Sequence, residues 1–202
     1  LGGKSALVGV TGDDEFGWFL QQGLANEGVD TAFLRHTSEG KTGLAFLSLT
    51  ATGERSFTFY RTRAAETFLD ERDTKAAAKA ISRTKILHVG TNSLLQPKAR
   101  AAVKAAVKRS YAAGHITSSD PNLRLHLWPD PSVLRRLLDE LVANLAVLKL
   151  SDEEIHFVTG TKDVEHKVIG QLVIGARVVG QCGRALSLGL VDKPRTPASG
   201  SQ

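Results

Sequence analysis

Cysteine and methionine are nearly absent from this sequence, which has Cys182 alone and no methionine in 202 residues. A single cysteine excludes an internal disulfide framework and fits a reducing compartment, so we expect a cytoplasmic protein without an opening signal peptide. No apolar run approaches the length that crosses a bilayer, and we therefore expect no membrane partner. A chain of this length ordinarily carries several methionines, so we expect residues of the natural protein to be missing at both ends.

Aromatic residues are also scarce, at 6%, while the formal net charge is +5. A basic protein can bind nucleic acid through its phosphates. Here the basic residues are spread over alanine-rich, helix-like stretches with no aromatic residues between them, which is typical of solvated helix faces. We therefore expect no nucleic-acid partner, although a nucleic-acid binder and a protein with an anionic small substrate both remain alternatives. The residues concerned are Lys75, Lys79, Lys98, Arg100, Lys104, Lys108 and Arg109.

Short apolar runs alternate with helical patterns along most of the chain. The runs Lys4–Val10, "KILHVG", "HITSSD" and "AVLKL" are typical of buried strands. Two helix starts are marked by capping residues: Asp13 or Asp14, and Asp130 followed by Pro131. The alternation predicts an α/β fold of the doubly wound kind, with a mainly parallel sheet flanked by helices. The faces expected to be buried carry Phe16, Phe19, Leu20 and Leu24 in the first helix and Leu134, Leu137, Leu138, Leu141 and Leu145 in the other.

The segment 31–61 breaks this alternation. It contains two β-rich runs, "TGLAFLSLT" and "RSFTFYR", separated by the turn "ATGE" and with no helix between them. Such a pattern predicts a hairpin, with Phe57, Phe59 and Arg61 on one of its faces. We therefore divide the chain into an α/β core at 1–30 and 62–190, a β-hairpin lid at 31–61, and a polar tail at 191–202.

Polar clusters follow four of the predicted strands: "TGDD", "GTNS", "DPNLR" and "SDEE". In a parallel sheet the carboxyl ends of the strands meet at one edge, which is where α/β proteins bind ligands. We therefore expect a ligand site at this edge, with the hairpin as a lid over it.

The cluster "DPNLR" has two interpretations. Asp120, Asn122 and Arg124 together offer an acceptor, an amide and a fork-shaped cation, which can bind sugar hydroxyls or an anion. Alternatively, Asp120 makes a polar turn by bonding its own backbone, and Arg124 is solvated.

The remaining candidate residues also have structural alternatives. Ser151 and Glu154 have the spacing of a capping box, although Glu154 could instead order water around a phosphate-bound Mg²⁺. Gly180 and Gly183 form a G-x-x-G turn that a nucleotide could approach, or a plain β-turn. Lys149 is either a snorkelling strand residue or a phosphate contact.

Taken together, these clusters resemble the ribokinase-like (PfkB) family of carbohydrate kinases, and within it the fructokinases. The similarity runs to about Gly183. "SSDPNLRLHLWPD" is its most specific part, because fructokinases carry a very similar D-P-N-x-R-x-x-L-W run. "KTGLAFLSLTATGERSFTFYR" resembles the lid strands of the family, and "VLKLSDEEIHFVTG" resembles its N-x-x-E region, with Ser151 where many relatives have Asn.

The resemblance implies a ribokinase-like fold and an ATP- and Mg²⁺-dependent transfer of the γ-phosphoryl group to a hydroxyl of a free sugar, fructose above all. It also implies roles for individual residues, and a homodimer through the β lid. Substrate contacts would come from Phe46, Arg61, Asn92, Asp120, Asn122 and Arg124, nucleotide contacts from Lys149, Ser151, Gly180 and Gly183, and the metal shell would involve Glu154.

Two family motifs are not found in this sequence. One is the N-terminal strand with its glycine motif, and the other is D-T-x-G-A-G-D, which carries the general base of the family. After Gly183 the sequence reads "GLVDKPRTPASGSQ" instead, so no catalytic base is assigned. The alternatives are a kinase for another sugar, such as 2-keto-3-deoxygluconate or ribose, and a non-catalytic relative that binds sugar or a partner protein.

Overall fold

Residues 2–159 and 178–181, which are those that the computed structural model describes, contain parallel strands, an antiparallel hairpin and helices. None of the helices in this part of the chain has the length and apolar character needed to cross a membrane. The strands are β1 (Ser5–Ala6), β2 (Gly9–Gly12), β3 (Val29–Asp30), β4 (Leu34–Thr37), β5 (Leu44–Leu49), β6 (Arg55–Tyr60), β7 (Ile86–Val89), β8 (Ile116–Ser119), β9 (Val147–Leu150) and β10 (Val178–Gln181). The α-helices are α1 (Glu15–Asn26), α2 (Glu71–Ala76), α3 (Ala78–Ile81), α4 (Pro97–Ala112), α5 (Pro131–Val142) and α6 (Asp152–Thr159), and short 3₁₀ helices lie at Ala65–Phe68, Thr91–Leu94 and Leu125–Leu127.

The larger sheet is entirely parallel, with the strand order β10-β9-β8-β7. Helices α4 and α5 connect successive strands of this sheet, which is the connection that parallel strands require. The predicted α/β fold with a mainly parallel sheet is therefore confirmed.

The N-terminal strands form a second parallel arrangement, in which β1 pairs with β3 and β2 pairs with β4. One further backbone hydrogen bond extends each pair, from Leu7 N to Asp30 O at 3.1 Å beside β1 and β3 and from Gly9 N to Phe33 O at 3.3 Å beside β2 and β4. The predicted strand Lys4–Val10 is thus interrupted, and its second part extends to Gly12.

The hairpin consists of β5 and β6, which pair antiparallel from Leu44 opposite Tyr60 to Leu49 opposite Arg55. The predicted lid segment 31–61 is too wide, because it includes β4. That strand pairs in parallel with β2, and its Leu34 side chain is 7% exposed. Since β4 satisfies its backbone groups against a core strand, the hairpin proper begins at Leu44.

Helix α5 supplies much of the hydrophobic core. Asp130 caps it by accepting the backbone N–H of Ser132 at 2.8 Å, and Pro131 is its first residue, as predicted. Four leucines of one face, Leu134, Leu137, Leu138 and Leu141, are buried in a cluster that includes Leu148 and Leu150 of β9. Each fully buried leucine contributes roughly 1.5–3 kcal/mol, so this face holds α5 onto the sheet.

Helix α1 departs from its predicted burial. Asp14 is its N-cap, but Phe16, Phe19 and Leu20 are 53%, 73% and 44% exposed. The prediction that this face is buried is therefore wrong for Phe16, Phe19 and Leu20. The pattern identified the helix, whereas burial depends on a neighbouring element that lies against the face.

Replacing Leu138 by alanine should lower the free energy of unfolding by about 2–5 kcal/mol, because the side chain is 1% exposed and its removal leaves a cavity. Urea denaturation of the complete protein measures the change. Leu49→Ala is the control, since that leucine is 65% exposed and its loss should cost about 0.5 kcal/mol. Equal effects of the two substitutions would contradict this core.

Candidate functional site

Loops from the carboxyl ends of β7 and β8 line a cavity of about 890 Å³, which we call the strand-edge cavity. One face of the β5–β6 hairpin forms another of its walls. Its lining residues are Ala45, Phe57, Phe59, Arg61, Thr67, Asn92, Leu95, Gln96, Arg100, Arg124, His126, Leu127, Trp128, Pro129, Asp130 and Val133. Two of the four predicted strand-end clusters, "GTNS" and "DPNLR", thus contribute to this cavity, whereas "TGDD" and "SDEE" do not line it. Three of the six predicted substrate residues, Arg61, Asn92 and Arg124, lie together here.

The pleat of the hairpin decides which of its residues reach this cavity. Phe57, Phe59 and Arg61 alternate along β6 and just beyond it, so they share the face that the sequence predicts, and all three line the cavity. Phe46 does not line it. This residue stands opposite Thr58, on the other face of the hairpin, where its ring meets that of Tyr60 edge to face at 5.5 Å.

Arg61 already has an anionic partner. Its Nε and Nη2 atoms each lie 2.8 Å from Oε1 of Glu66, which is part of the 3₁₀ helix that follows the hairpin. The ion pair orients the guanidinium and neutralises its charge. Arg61 can therefore donate hydrogen bonds into the cavity while its own charge is compensated by Glu66.

Two carboxylate hydrogen bonds from Thr42 fix the first end of the hairpin. The Thr42 backbone N–H donates to Oδ2 of Asp14 at 2.8 Å, and its hydroxyl donates to Oδ1 at 2.7 Å. The Thr42 hydroxyl in turn accepts the Gly12 N–H at 3.0 Å. A Cβ at Gly12 would lie 2.2 Å from the Asp14 carboxylate, so this contact requires glycine.

The Asp14 carboxylate favours its ionised form. Partial burial works against ionisation, but the hydrogen bonds from Thr42 and from the Gly17 backbone outweigh it and hold the pKa of Asp14 below its usual value. The same carboxylate thus caps α1 and ties the hairpin to the end of β2.

The loop Asp120–Arg124 leaves β8 between the neighbouring strand ends. The Asp120 carboxylate forms an ion pair with the Lys149 ammonium, and the Pro121 carbonyl accepts a hydrogen bond from the Thr91 hydroxyl. Asn122 has φ of 46°, in the left-handed region. Of the predicted trio in this loop, Arg124 lines the strand-edge cavity, while Asp120 and Asn122 lie outside its lining.

The Arg124 guanidinium is anchored within the same loop. Its Nη1 atom donates to Oδ1 of Asn122 at 2.7 Å and to the carbonyl of Leu123 at 3.2 Å. Asn122 therefore orients the arginine that reaches the cavity.

Ser151 and Glu154 form the capping box that their spacing predicts. The Ser151 N–H donates to Oε2 of Glu154 at 2.8 Å, and the Glu154 N–H donates to the Ser151 hydroxyl at 3.3 Å. In addition, Oε1 of Glu154 accepts the Leu123 N–H at 2.6 Å. Glu154, which is 9% exposed, thus connects the start of α6 to the loop after β8.

The predicted turn Gly180–Gly183 is only partly described. Gly180 lies within β10, in register with Lys149 of β9, so it belongs to a strand and the turn prediction is wrong at this residue. Gly183 lies outside the described residues.

Arg100 and Trp128 are functional candidates that the sequence patterns missed. We interpreted Arg100 as part of a solvated helix face, which is wrong. Its guanidinium lies 6.0 Å from the centre of the Trp128 ring and its Nε donates to the Leu94 carbonyl at 2.9 Å. A signal was present, since Arg100 stands three and seven residues before Val103 and Val107, both buried on α4.

Taken together, the cavity combines aromatic walls with directional donors. Phe57, Phe59 and Trp128 supply apolar surface, while Asn92, Arg61 and Arg124 supply hydrogen-bonding groups. Such a mixture suits a small polar ligand with several hydroxyl groups. Residues 2–159 and 178–181 contain no group of three or more His, Cys, Asp and Glu side chains that could hold a metal ion by themselves.

Comparison with known proteins agrees with this arrangement. The sequence profile described as "pfkB family carbohydrate kinase" matches residues 1–181. The chain is 39% identical over 163 residues to Probable fructokinase-7 of Arabidopsis thaliana, covering 81% of this chain and 47% of that protein. It spans about half the length of the curated relatives it matches.

Two solved structures have folds similar to that of this chain. The crystal structure of fructokinase with bound ATP from Xylella fastidiosa has a TM-score of 0.77 and 34% identity, covering 91% of this chain and 58% of that one. The Vibrio cholerae O395 fructokinase, in its fructose, ADP and calcium ion bound form, has a TM-score of 0.77 and 31% identity, covering 95% and 65% of the two chains.

The Asp14 carboxylate should make stability depend on pH. Because its pKa is lowered by folding, its contribution is present above the unfolded value of roughly 4 and is lost as the pH falls through the lower folded value. The difference in unfolding free energy between wild type and Asp14→Asn should therefore be constant above about pH 5 and shrink on acidification towards pH 3. Denaturation across this range measures it, with exposed Glu71→Gln as control, and a difference that grows on acidification would contradict it.

Proposed function

Because this chain belongs to the pfkB family of carbohydrate kinases, we propose that its protein transfers the γ-phosphoryl group of ATP to a hydroxyl of a free sugar, fructose first among them. The observation that carries the proposal is the strand-edge cavity, where donors from two strand ends and a hairpin converge beside aromatic walls. The similarity to a fructokinase with fructose and ADP bound supports the choice of sugar. Phosphoryl transfer depends mainly on positioning and charge stabilisation, which such a lined and covered site can supply.

The sugar would bind in the strand-edge cavity. Arg61, Asn92 and Arg124 would donate to its hydroxyl groups, and Asn122 would act by orienting Arg124. Asp120 stays a proposed substrate residue through its position in the same loop. The Arg61–Glu66 ion pair favours a neutral sugar over a sugar acid, because the charge of this arginine is already compensated.

ATP would lie towards the ends of β9 and β10. Lys149 and Ser151 come from the end of β9 and the turn that follows it, Gly180 stands beside Lys149 in register, and Gly183 is proposed from the family resemblance. An ammonium, a hydroxyl and a glycine backbone are groups that nucleotide phosphates commonly contact. The ATP-bound fructokinase of similar fold supports this cofactor.

Mg²⁺ would accompany the nucleotide and supply charge neutralisation at the transferred phosphoryl group. This ion usually keeps several waters and binds through one or two carboxylates and the substrate phosphates. Glu154 fits such a role, because each of its oxygens accepts one backbone N–H and retains a lone pair for a metal-bound water.

A coupled assay of the complete protein with ATP, Mg²⁺ and a panel of free sugars tests the proposal, with fructose expected to have the highest kcat/KM. Arg124→Ala should raise the KM for that sugar about tenfold or more, since it removes charged hydrogen-bond donors from the cavity. Arg109→Ala, an exposed position on α4, is the matched control. A preference for 2-keto-3-deoxygluconate or ribose would redirect the proposal, and a folded protein that phosphorylates no sugar would overturn it in favour of a non-catalytic binder.

We further propose that the outer face of the hairpin pairs with a second copy of the protein. Among the described residues this face carries Leu44, Phe46 and Tyr60, and the two aromatic side chains are 55% and 63% exposed. Contiguous apolar surface of this kind marks interaction sites.

The reducing environment that one cysteine suggests makes the cytoplasm the proposed location.

Phe46→Asp should convert the dimer to a monomer, because it places a charge in the proposed apolar contact. Sedimentation of the complete protein measures the change. Phe57→Asp is the matched control, since it lies on the cavity face of the same hairpin and should leave the dimer intact. A wild-type monomer, or equal dissociation by both substitutions, would contradict pairing through this face.

A further inference from the structure

We infer that Glu154 is a positioning residue for the sugar: its carboxylate holds the loop Asp120–Arg124 in the conformation that presents Arg124 to the strand-edge cavity. This role differs from the metal-shell role proposed above, because it concerns binding of the sugar, whereas the metal shell concerns the phosphates of ATP. Only its expected effect on the KM for the sugar rests on the proposed function, since the contact between Glu154 and the loop is a property of the fold.

The first step is the contact. Oε1 of Glu154 accepts the Leu123 N–H at 2.6 Å, and Oε2 accepts the Ser151 N–H at 2.8 Å. The residue is 9% exposed, and the salt bridges of the described part of the chain do not include it. Because a buried carboxylate needs compensation, these two N–H groups are strong charge-assisted partners.

The second step is the conformation that the contact secures. Asn122 has φ of 46°, which is unfavourable for residues other than glycine, although asparagine tolerates it better than most. The loop is tied on both sides of this residue, by Thr91 at the Pro121 carbonyl and by Glu154 at the Leu123 N–H. Release of one tie would let Asn122 relax to a more common backbone conformation.

The third step is the consequence for the cavity. Oδ1 of Asn122 accepts from Nη1 of Arg124 at 2.7 Å, and Arg124 lines the cavity. A change in the Asn122 backbone therefore moves the acceptor that orients the guanidinium. Glu154 lines no part of this cavity and so acts on the sugar through the loop.

Glu154→Gln tests the inference in the complete protein. Glutamine is neutral and has one acceptor oxygen, so the Leu123 N–H either loses its partner to the amide NH₂ group or keeps a weaker hydrogen bond without charge assistance. Hydrogen exchange of the backbone amides at residues 122–124 should accelerate about tenfold, and the KM for the sugar should rise about tenfold, by more than the KM for ATP.

Asp73→Asn is the matched control, because Asp73 is another buried carboxylate, 4% exposed and paired with Arg35 at 2.7 Å. Its loss should destabilise the protein without selectively accelerating exchange in the loop or changing the ratio of the two KM values. Any general effect of removing a buried charge will appear in both variants.

The outcomes separate the two proposals. Unchanged exchange at residues 122–124 in Glu154→Gln overturns the positioning role, whether or not the protein is a kinase. An unchanged sugar KM together with a shifted Mg²⁺ dependence also overturns it and favours the metal shell. A wild-type protein without sugar turnover refutes the proposed function, and exchange then decides the positioning role by itself.

Discussion

The parallel pairing of β8 with β7 and β9 is the constraint on which the rest of the site depends. Parallel strands release their following loops at one edge, so the loop after β8 is flanked by the loops of its two neighbours. Each neighbour ties it: Thr91 after β7 binds Pro121, while Lys149 of β9 and Glu154 beyond it bind Asp120 and the Leu123 N–H. An antiparallel neighbour would send its loop to the opposite edge, and these ties could not form.

Each of the three arginines that line the strand-edge cavity donates hydrogen bonds to acceptors of the protein itself. Arg61 is paired with Glu66, Arg100 donates to the carbonyls of Leu94 and Leu95, and Arg124 donates to Asn122. Donors that are already oriented lose little conformational entropy when a ligand arrives. The cavity is thus suited to recognise the directions of hydroxyl groups.

Local patterns predicted most elements, and they predicted those site features that depend on neighbours in sequence. The cap at Asp130, the capping box of Ser151 and Glu154, and the common face of Phe57, Phe59 and Arg61 each involve residues within a few positions of one another. The patterns failed where burial or contact came from distant segments. The exposed face of α1 is one such failure, and the contact of Arg100 with Trp128 is another.

By itself, the sequence determined the order of strands and helices, the polar character of the strand ends and the family resemblance, because periodicity, caps and motifs are local properties of the chain. Only the tertiary structure decided which of those polar residues meet. It separated Phe46 from the cavity through the pleat of the hairpin, placed Gly180 in a strand, and joined Glu154 to Leu123 across 31 positions. Such contacts follow from strand register and crossover packing, which no short stretch of sequence contains.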